Sequence, residues 1–155
     1  MYSKEEHRQI NIDFYTQLGE LMKEDIPVSG DKVKWTNFRT GIKGLYFKLD
    51  ADKRTCRLII EIKNDDDSIR HLFYDQFEEF KVVLEETIQE EGIWFRDYYN
   101  DYGEVSSKIE WVIDEKVSKL KRETWGTMHN YLRDRLIGLD EFWGDVKDVF
   151  IELSK

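Results

Sequence analysis

The chain has few of the residues that define several common classes of protein. Among its 155 residues there is one proline and one cysteine. The single cysteine, Cys56, excludes an internal disulfide and any cysteine-rich metal site. The three histidines, His7, His71 and His129, have no second histidine or cysteine at ligand spacing, so we do not expect a zinc centre. We predict no metal and no cofactor.

Long apolar runs are also absent. No stretch approaches the roughly 20 apolar residues that a membrane-spanning helix requires, and residues 1–6 lack the apolar centre of a signal peptide. Neither a glycine-rich phosphate loop nor a Gly-x-Ser-x-Gly motif occurs. From these absences we expect a cytoplasmic protein without a membrane partner.

What is present is ample material for a core. Hydrophobic residues make up 40% of the chain, with five Trp, eight Tyr and nine Phe, and a chain of this length buries a sizeable core in one ordinary domain. No linker-like stretch divides it. We therefore expect residues 1–155 to form a single domain.

Charge is unevenly distributed along a chain whose net charge is −9. Residues 32–63 hold nine basic side chains against three acidic ones, whereas residues 64–105 hold three basic against thirteen acidic. One interpretation is internal, with a basic region and an acidic helix that neutralise each other. The other is a basic surface for an anionic partner. That surface would provide these candidates for nucleic-acid binding: Lys34, Arg39, Lys43, Lys48 and Arg57.

Hydrophobic periodicity predicts an α+β fold in the order α-β-β-β-α-β-β-α. The sheet is expected to be antiparallel or mixed, with about five strands, with helices on one face and a long C-terminal helix. Ser3 and Glu6 have the spacing of a capping box at the first helix. The predicted helices cover 3–24, 69–91 and 125–153, and the predicted strands cover 33–38, 45–49, 55–63, 93–99 and 105–113.

The C-terminal helix is predicted from a seam of apolar residues spaced alternately by four and three. Gly138 leaves open whether this helix is continuous or kinked. A helix of about 30 residues is about 45 Å long, which exceeds the width of so small a domain. We therefore expect a homodimer through this helix, with Phe142, Trp143, Val149 and Phe150 as candidate interface residues. The alternative is a kink at Gly138 that returns the last turns to their own domain and leaves a monomer.

The strand 58–63 ends in Glu61-x-Lys63, which places both side chains on one face. Nucleases of the restriction-endonuclease type use such a pair, with a carboxylate that holds a divalent metal and a lysine beside it. Asp50 is the only available second carboxylate. A hairpin that turns at Asp52-Lys53 sets Asp50 about six strand residues, roughly 20 Å, from Glu61. An exposed polar face with cross-strand charge pairs explains these residues as well.

Several motifs together resemble an uncharacterised bacterial family, the domain of unknown function DUF4268. They are Gly44-Leu45-Tyr46-Phe47, Leu58-Ile59-Ile60-Glu61-Ile62, Asp75-Gln76-Phe77-Glu78-Glu79-Phe80-Lys81, Trp94 and Glu123-Thr124-Trp125. The resemblance covers nearly the whole chain, and its aromatic and aliphatic motifs are signatures of a fold. It implies a setting in DNA metabolism or phage defence, because some relatives carry the domain after a nuclease-like region. The family assigns no catalytic residues.

Three hypotheses about function follow. The first is a non-catalytic interaction or accessory domain, and with it we expect no enzymatic activity. The second is a metal-dependent nuclease of the restriction-endonuclease type, or a degenerate relative, with Glu61, Lys63 and Asp50 as candidate catalytic residues. The third is nucleic-acid binding through the basic 32–63 region.

Overall fold

A four-stranded sheet and four α-helices make up the structure, a computed structural model that describes residues 1–30 and 33–155. In chain order the described elements are α1 (Lys4–Leu21), β1 (Leu45–Ala51), β2 (Cys56–Ile62), α2 (Asp67–Glu79), α3 (Lys81–Ile88), β3 (Ile93–Tyr99), β4 (Val105–Val112), a 3-10 turn (Arg122–Thr124) and α4 (Trp125–Leu153). The expected α+β class, helix α1 with its capping box, and the long C-terminal helix are confirmed. None of the helices in the described residues has the length and apolar character needed to cross a membrane.

The sheet is antiparallel throughout, in the order β1-β2-β4-β3. Alternation along each strand sends one set of side chains inward. On the inner face Leu58, Ile60, Ile109 and Trp111 are fully buried. Helices α2 and α4 pack on this inner face, and α1 and α3 pack against α4. The core therefore lies between one face of the sheet and the helices.

The predicted strand at 33–38 is wrong, so the sheet has four strands in the described residues rather than about five. A turn closes between Lys34 and Asn37, where the amide of Asn37 donates to the carbonyl of Lys34 at 3.0 Å. Trp35 and Phe38 are buried. The Phe38 ring packs against the ring of Phe47 in β1, with centroids 5.2 Å apart. The spacing of three between Trp35 and Phe38 therefore belongs to a turn whose aromatic side chains are buried in the core.

The single helix predicted at 69–91 is two helices, because the chain bends at Phe80 (φ −92°, ψ 8°). The bend lets both halves bury their apolar sides. Phe73 and Phe77 of α2 pack towards the end of α4, whereas Leu84 and Ile88 of α3 are buried against its middle.

The register of the first hairpin differs by two residues from the predicted one. Strand β1 continues to Ala51, and the turn spans Asp52 to Thr55. The amide of Asp52 donates a hydrogen bond to the carbonyl of Thr55 at 2.9 Å. Glu61 therefore pairs with Tyr46, and Asp50 pairs with Arg57.

Helix α4 is one continuous helix of 29 residues, without the alternative kink at Gly138. The predicted apolar seam is buried, but by the chain itself. Phe142, Trp143 and Phe150 lie in the core, which corrects their assignment to a subunit interface. Val149 is the one member of that set on the surface. Self-association through this helix stays a prediction that light scattering tests.

Gly138 lies where the backbones of α3 and α4 come close together. A Cβ atom at this position would lie 2.6 Å from the carbonyl oxygen of Thr87 and 2.9 Å from the Cα of Ile88. Both neighbours are backbone atoms, so the helices must separate to admit a methyl group. The glycine that weakens α4 as an isolated helix is required for the packing of α3.

We predict that Gly138→Ala lowers the free energy of unfolding by about 1–3 kcal/mol, as for other overpacked sites, despite the better helix propensity of alanine. The matched control is Gly19→Ala in α1, where nothing lies within 4 Å of the added Cβ and a gain of up to about 1 kcal/mol is expected. Urea titration measures both. An unchanged or increased stability of Gly138→Ala would contradict the packing described.

Candidate functional site

The outer face of the sheet carries polar, charged and aromatic side chains and has no helix packed on it among the described residues. Paired positions place Tyr46 next to Glu61, Glu61 next to Lys108, and Lys108 next to Phe95 across the four strands. The Glu-x-Lys motif thus lies on this face, with Glu61 near the end of β2 and Lys63 just beyond it.

Both carboxylate oxygens of Glu61 accept hydrogen bonds from neighbouring side chains. Oε1 accepts a hydrogen bond from the Lys48 ammonium and lies 3.7 Å from Lys63 Nζ, and Oε2 accepts from the Ser106 hydroxyl at 3.1 Å. Partial burial alone would raise the pKa of the Glu61 carboxyl. The hydrogen bond and charge of Lys48, with Lys63 and Ser106, outweigh the burial and hold this pKa below its usual range. The carboxylate is therefore ionised and engaged at neutral pH.

A second charge cluster occupies the other half of the outer face. Glu110 is buried, and it lies 3.3 Å from Lys108 Nζ and 3.4 Å from Arg57 Nη1. Arg57 Nε lies 3.6 Å from Asp50. Arg57 is thereby engaged by two carboxylates, and neither it nor Lys48 stands free for an anionic ligand.

These contacts bear directly on the nuclease hypothesis. Asp50 pairs with Arg57, which is four strand residues, about 13 Å, from Glu61. That separation is shorter than the one predicted, yet it is too long for two ligands of one metal ion. No group of three or more His, Cys, Asp or Glu side chains in the described residues could hold a metal. Glu61 and Lys63 are brought together, and Asp50 is not.

A basic groove of about 670 Å³ opens beside the sheet. Its cationic side chains are Lys34, Arg39 and Lys147, and its lining in the described residues includes no carboxylate. Trp143 and Phe38 contribute apolar surface. Asp31 and Lys32, which are outside the described residues, have opposite formal charges. We call this surface the basic groove.

Residues 33–41 provide one wall of the basic groove, and residues 33–44 as a whole alternate between buried anchors and exposed cations. Trp35, Phe38 and Ile42 are buried, whereas Lys34, Arg39 and Lys43 are exposed. The Trp35 indole donates to the carbonyl of Asp25 at 3.1 Å, and the Thr40 hydroxyl donates to the carbonyl of Leu45 at 2.8 Å. The anchors hold the backbone, so the intervening cations project from a fixed wall.

Gly44 ends this segment in a conformation that favours glycine (φ +85°). Its carbonyl accepts from the amide of Lys63 at 2.7 Å, and a Cβ atom would lie 2.5 Å from the carbonyl oxygen of Lys63. The segment is thus fastened directly to the end of β2, next to the Glu61-x-Lys63 motif.

Helix α4 forms the opposite wall and fixes the chain that leads into the groove. The buried carboxylate of Asp140 accepts from the Val28 amide at 2.8 Å, from the Ser29 amide at 3.1 Å and from the Ser29 hydroxyl at 2.5 Å. The Lys147 ammonium donates to the carbonyl of Ser29. Asp140 is thereby occupied in holding the loop and does not face the groove with a free charge.

Sequence reasoning identified Lys34 and Arg39 of the basic groove, with Lys43 just beyond it, but missed Lys147 and Trp143 as groove residues. No local pattern could have joined them, because α4 follows the basic segment by about a hundred residues. Trp143 was assigned to the helix seam, and that seam is what brings it beneath residues 33–44. Its ring lies 5.1 Å from that of Phe47.

Cys56, the only thiol, takes no part in either surface. It is fully buried, and burial with the nearby Asp52 carboxylate raises its pKa to about 12. The thiolate, which is the reactive form, is therefore suppressed at neutral pH.

These features define an α+β domain with an uncovered polar sheet face and an adjoining basic groove. The family described as Domain of unknown function (DUF4268) matches residues 10–147, and the chain belongs to that family. The comparisons with curated proteins and with solved structures give no match. The match covers every described strand and both walls of the basic groove.

We predict that the protein does not cleave plasmid DNA in the presence of Mg²⁺ or Mn²⁺, because both oxygens of Glu61 are already bonded to protein groups. Gel analysis of supercoiled plasmid measures the product, and Glu61→Ala is the control for a contaminating nuclease. Cleavage by the original chain that Glu61→Ala abolishes would revive the nuclease hypothesis.

Proposed function

We propose that this domain binds nucleic acid without cleaving it and that the basic groove receives the phosphate backbone. One observation carries the proposal. The groove has three cationic side chains and no carboxylate in its described lining, although the chain as a whole has a net charge of −9. A local positive surface on an acidic protein attracts a polyanion selectively to that place.

The arrangement of the cations supports an extended ligand over a single small anion. Lys34 and Arg39 belong to the basic groove, and Lys43 follows beyond Gly41, a residue that also lines the next groove along the surface. The three side chains are exposed, and in the described residues none lies within 4.0 Å of a carboxylate. A row of such cations suits the repeated charges of a phosphate backbone.

The rigidity of the groove supports binding as well. Anchors on both walls fix the backbone before a ligand arrives, so little ordering entropy is lost there on association. We propose no cleavage, because Glu61 and Asp50 lie too far apart to share a metal ion and each is paired with a basic side chain. A setting in DNA metabolism or phage defence, which the family resemblance implies, is compatible with such a domain.

Reversing two charges in the groove tests the proposal. We predict that Lys34→Glu combined with Arg39→Glu weakens nucleic-acid binding at least about tenfold and lowers the slope of log affinity against log salt by about 1.5–2, as expected for two lost phosphate contacts. Fluorescence anisotropy with a labelled oligonucleotide, measured at several salt concentrations, gives both quantities.

The matched control is Lys53→Glu with Arg54→Glu. These exposed residues lie in the β1–β2 turn and do not line the basic groove, and the change in net charge is identical. The control should retain most of the affinity. Equal losses in the two double variants would overturn the assignment to the groove. Binding to phosphatidylserine vesicles but not to any oligonucleotide would reassign the groove to a membrane surface and overturn the proposal.

A further inference from the structure

A second, larger groove continues from the basic groove. It has a volume of about 1010 Å³, and Gly41 lines both. It runs over one end of the sheet, and its lining includes Tyr46, Tyr98, Glu61 and Ser106 from the outer face. We call it the aromatic groove.

Two tyrosines of the aromatic groove present ring surface to solvent. Tyr46 is 45% exposed and Tyr98 is 37% exposed. Each has an ammonium group beside its ring: Lys48 Nζ lies 5.4 Å from the centroid of Tyr46, and Lys108 Nζ lies 3.6 Å from that of Tyr98. They occupy β1 and β3, the two edge strands of the sheet, so three strand spacings, about 14 Å, separate them.

The two grooves differ in charge. The basic groove has cations without carboxylates in its described lining. The aromatic groove is balanced, because Lys43, Lys63 and Lys155 are opposed by Glu61, Asp65 and Glu104. A surface with equal numbers of positive and negative side chains does not attract phosphates selectively. It can accept uncharged planar groups that stack on the tyrosines.

We infer that the ligand is single-stranded nucleic acid, with its backbone in the basic groove and unpaired bases stacked on Tyr46 and Tyr98. The inference rests on the proposed function and specifies its substrate. Bases in a duplex are already stacked and paired, so their faces cannot reach the tyrosines. Bases of a single strand can, and antiparallel sheets with exposed aromatics bind single strands in this manner.

The test compares a single strand of about 12 nucleotides, within the span of known single-strand sites, with a duplex of the same sequence. Tyr46→Ala and Tyr98→Ala should each weaken single-strand binding about 5- to 150-fold, which is the usual loss of one base–aromatic stack. Duplex binding and the salt slope should stay unchanged, because no phosphate contact is removed. Both tyrosines are exposed, and circular dichroism checks that the variants fold.

Two further variants separate stacking from other effects. Tyr46→Phe and Tyr98→Phe keep the ring and should retain single-strand affinity. Tyr102→Ala removes a tyrosine that is 89% exposed and outside the lining of the aromatic groove, and it should have no effect.

The outcomes distinguish this inference from the proposed function. If groove charge reversal abolishes binding while Tyr46→Ala and Tyr98→Ala do not alter it, nucleic-acid binding stands and the stacking platform is wrong. If the alanine variants lose single-strand and duplex binding alike, the inference is also overturned. If the original chain binds neither form, both proposals fail.

Discussion

The burial of α4 along its whole length is the constraint on which the other elements depend. At its start Trp125 packs against Phe14 of α1, with ring centroids 5.3 Å apart. In its second half Trp143 meets Phe47 of the sheet at 5.1 Å, and Phe150 meets Phe77 of α2 at 4.4 Å. Each of these aromatic contacts adds about 0.5–1.5 kcal/mol to the free energy gained from burial. Because α4 packs against α1, the sheet and α2, the position of α4 fixes the positions of these three elements. The same helix carries Asp140 and Lys147, which hold the chain leading into the basic groove.

With all of its helices directed to one side, the sheet leaves its other face to polar groups. The Glu61 carboxylate of that face is largely covered by cations, since its side chain is 15% exposed whereas Lys48 and Lys63 are 43% and 54% exposed. Partly exposed ion pairs of this kind contribute up to about 1 kcal/mol each. Gly41 lines both the basic groove and the groove over one end of this face, so the two surfaces are continuous and a strand of nucleic acid could contact both.

Elements with a local signal were predicted from the sequence. The capping box at Ser3, the predicted strands at 93–99 and 105–113 and the apolar seam of α4 each specify an element through neighbouring residues. The failures depended on distant contacts. Residues 33–38 alternate as a strand does. In the structure this segment forms a turn, and the Phe38 ring packs against the Phe47 ring. The bend at Phe80 accompanies the packing of α3 against Gly138, which lies about fifty residues further along the chain. For the candidate site, charge counting located Lys34, Arg39 and Lys43, whereas the wall formed by Trp143 and Lys147 required the tertiary fold. The Glu-x-Lys pattern was visible, and only the cross-strand neighbours of Glu61 showed how it is engaged.

The central claim is that residues 33–44 and the adjoining sheet face form one surface for a single strand of nucleic acid. Its most direct measurement is a titration of the ¹⁵N-labelled protein with a single strand of about 12 nucleotides, followed by amide chemical shifts in two-dimensional NMR spectra. The account predicts shifts concentrated at residues 33–44 and around Tyr46, Lys63 and Tyr98, with α1 and the acidic surface of α2 and α3 unchanged. Shifts confined to those helices, or no shifts at oligonucleotide concentrations well above that of the protein, would contradict it.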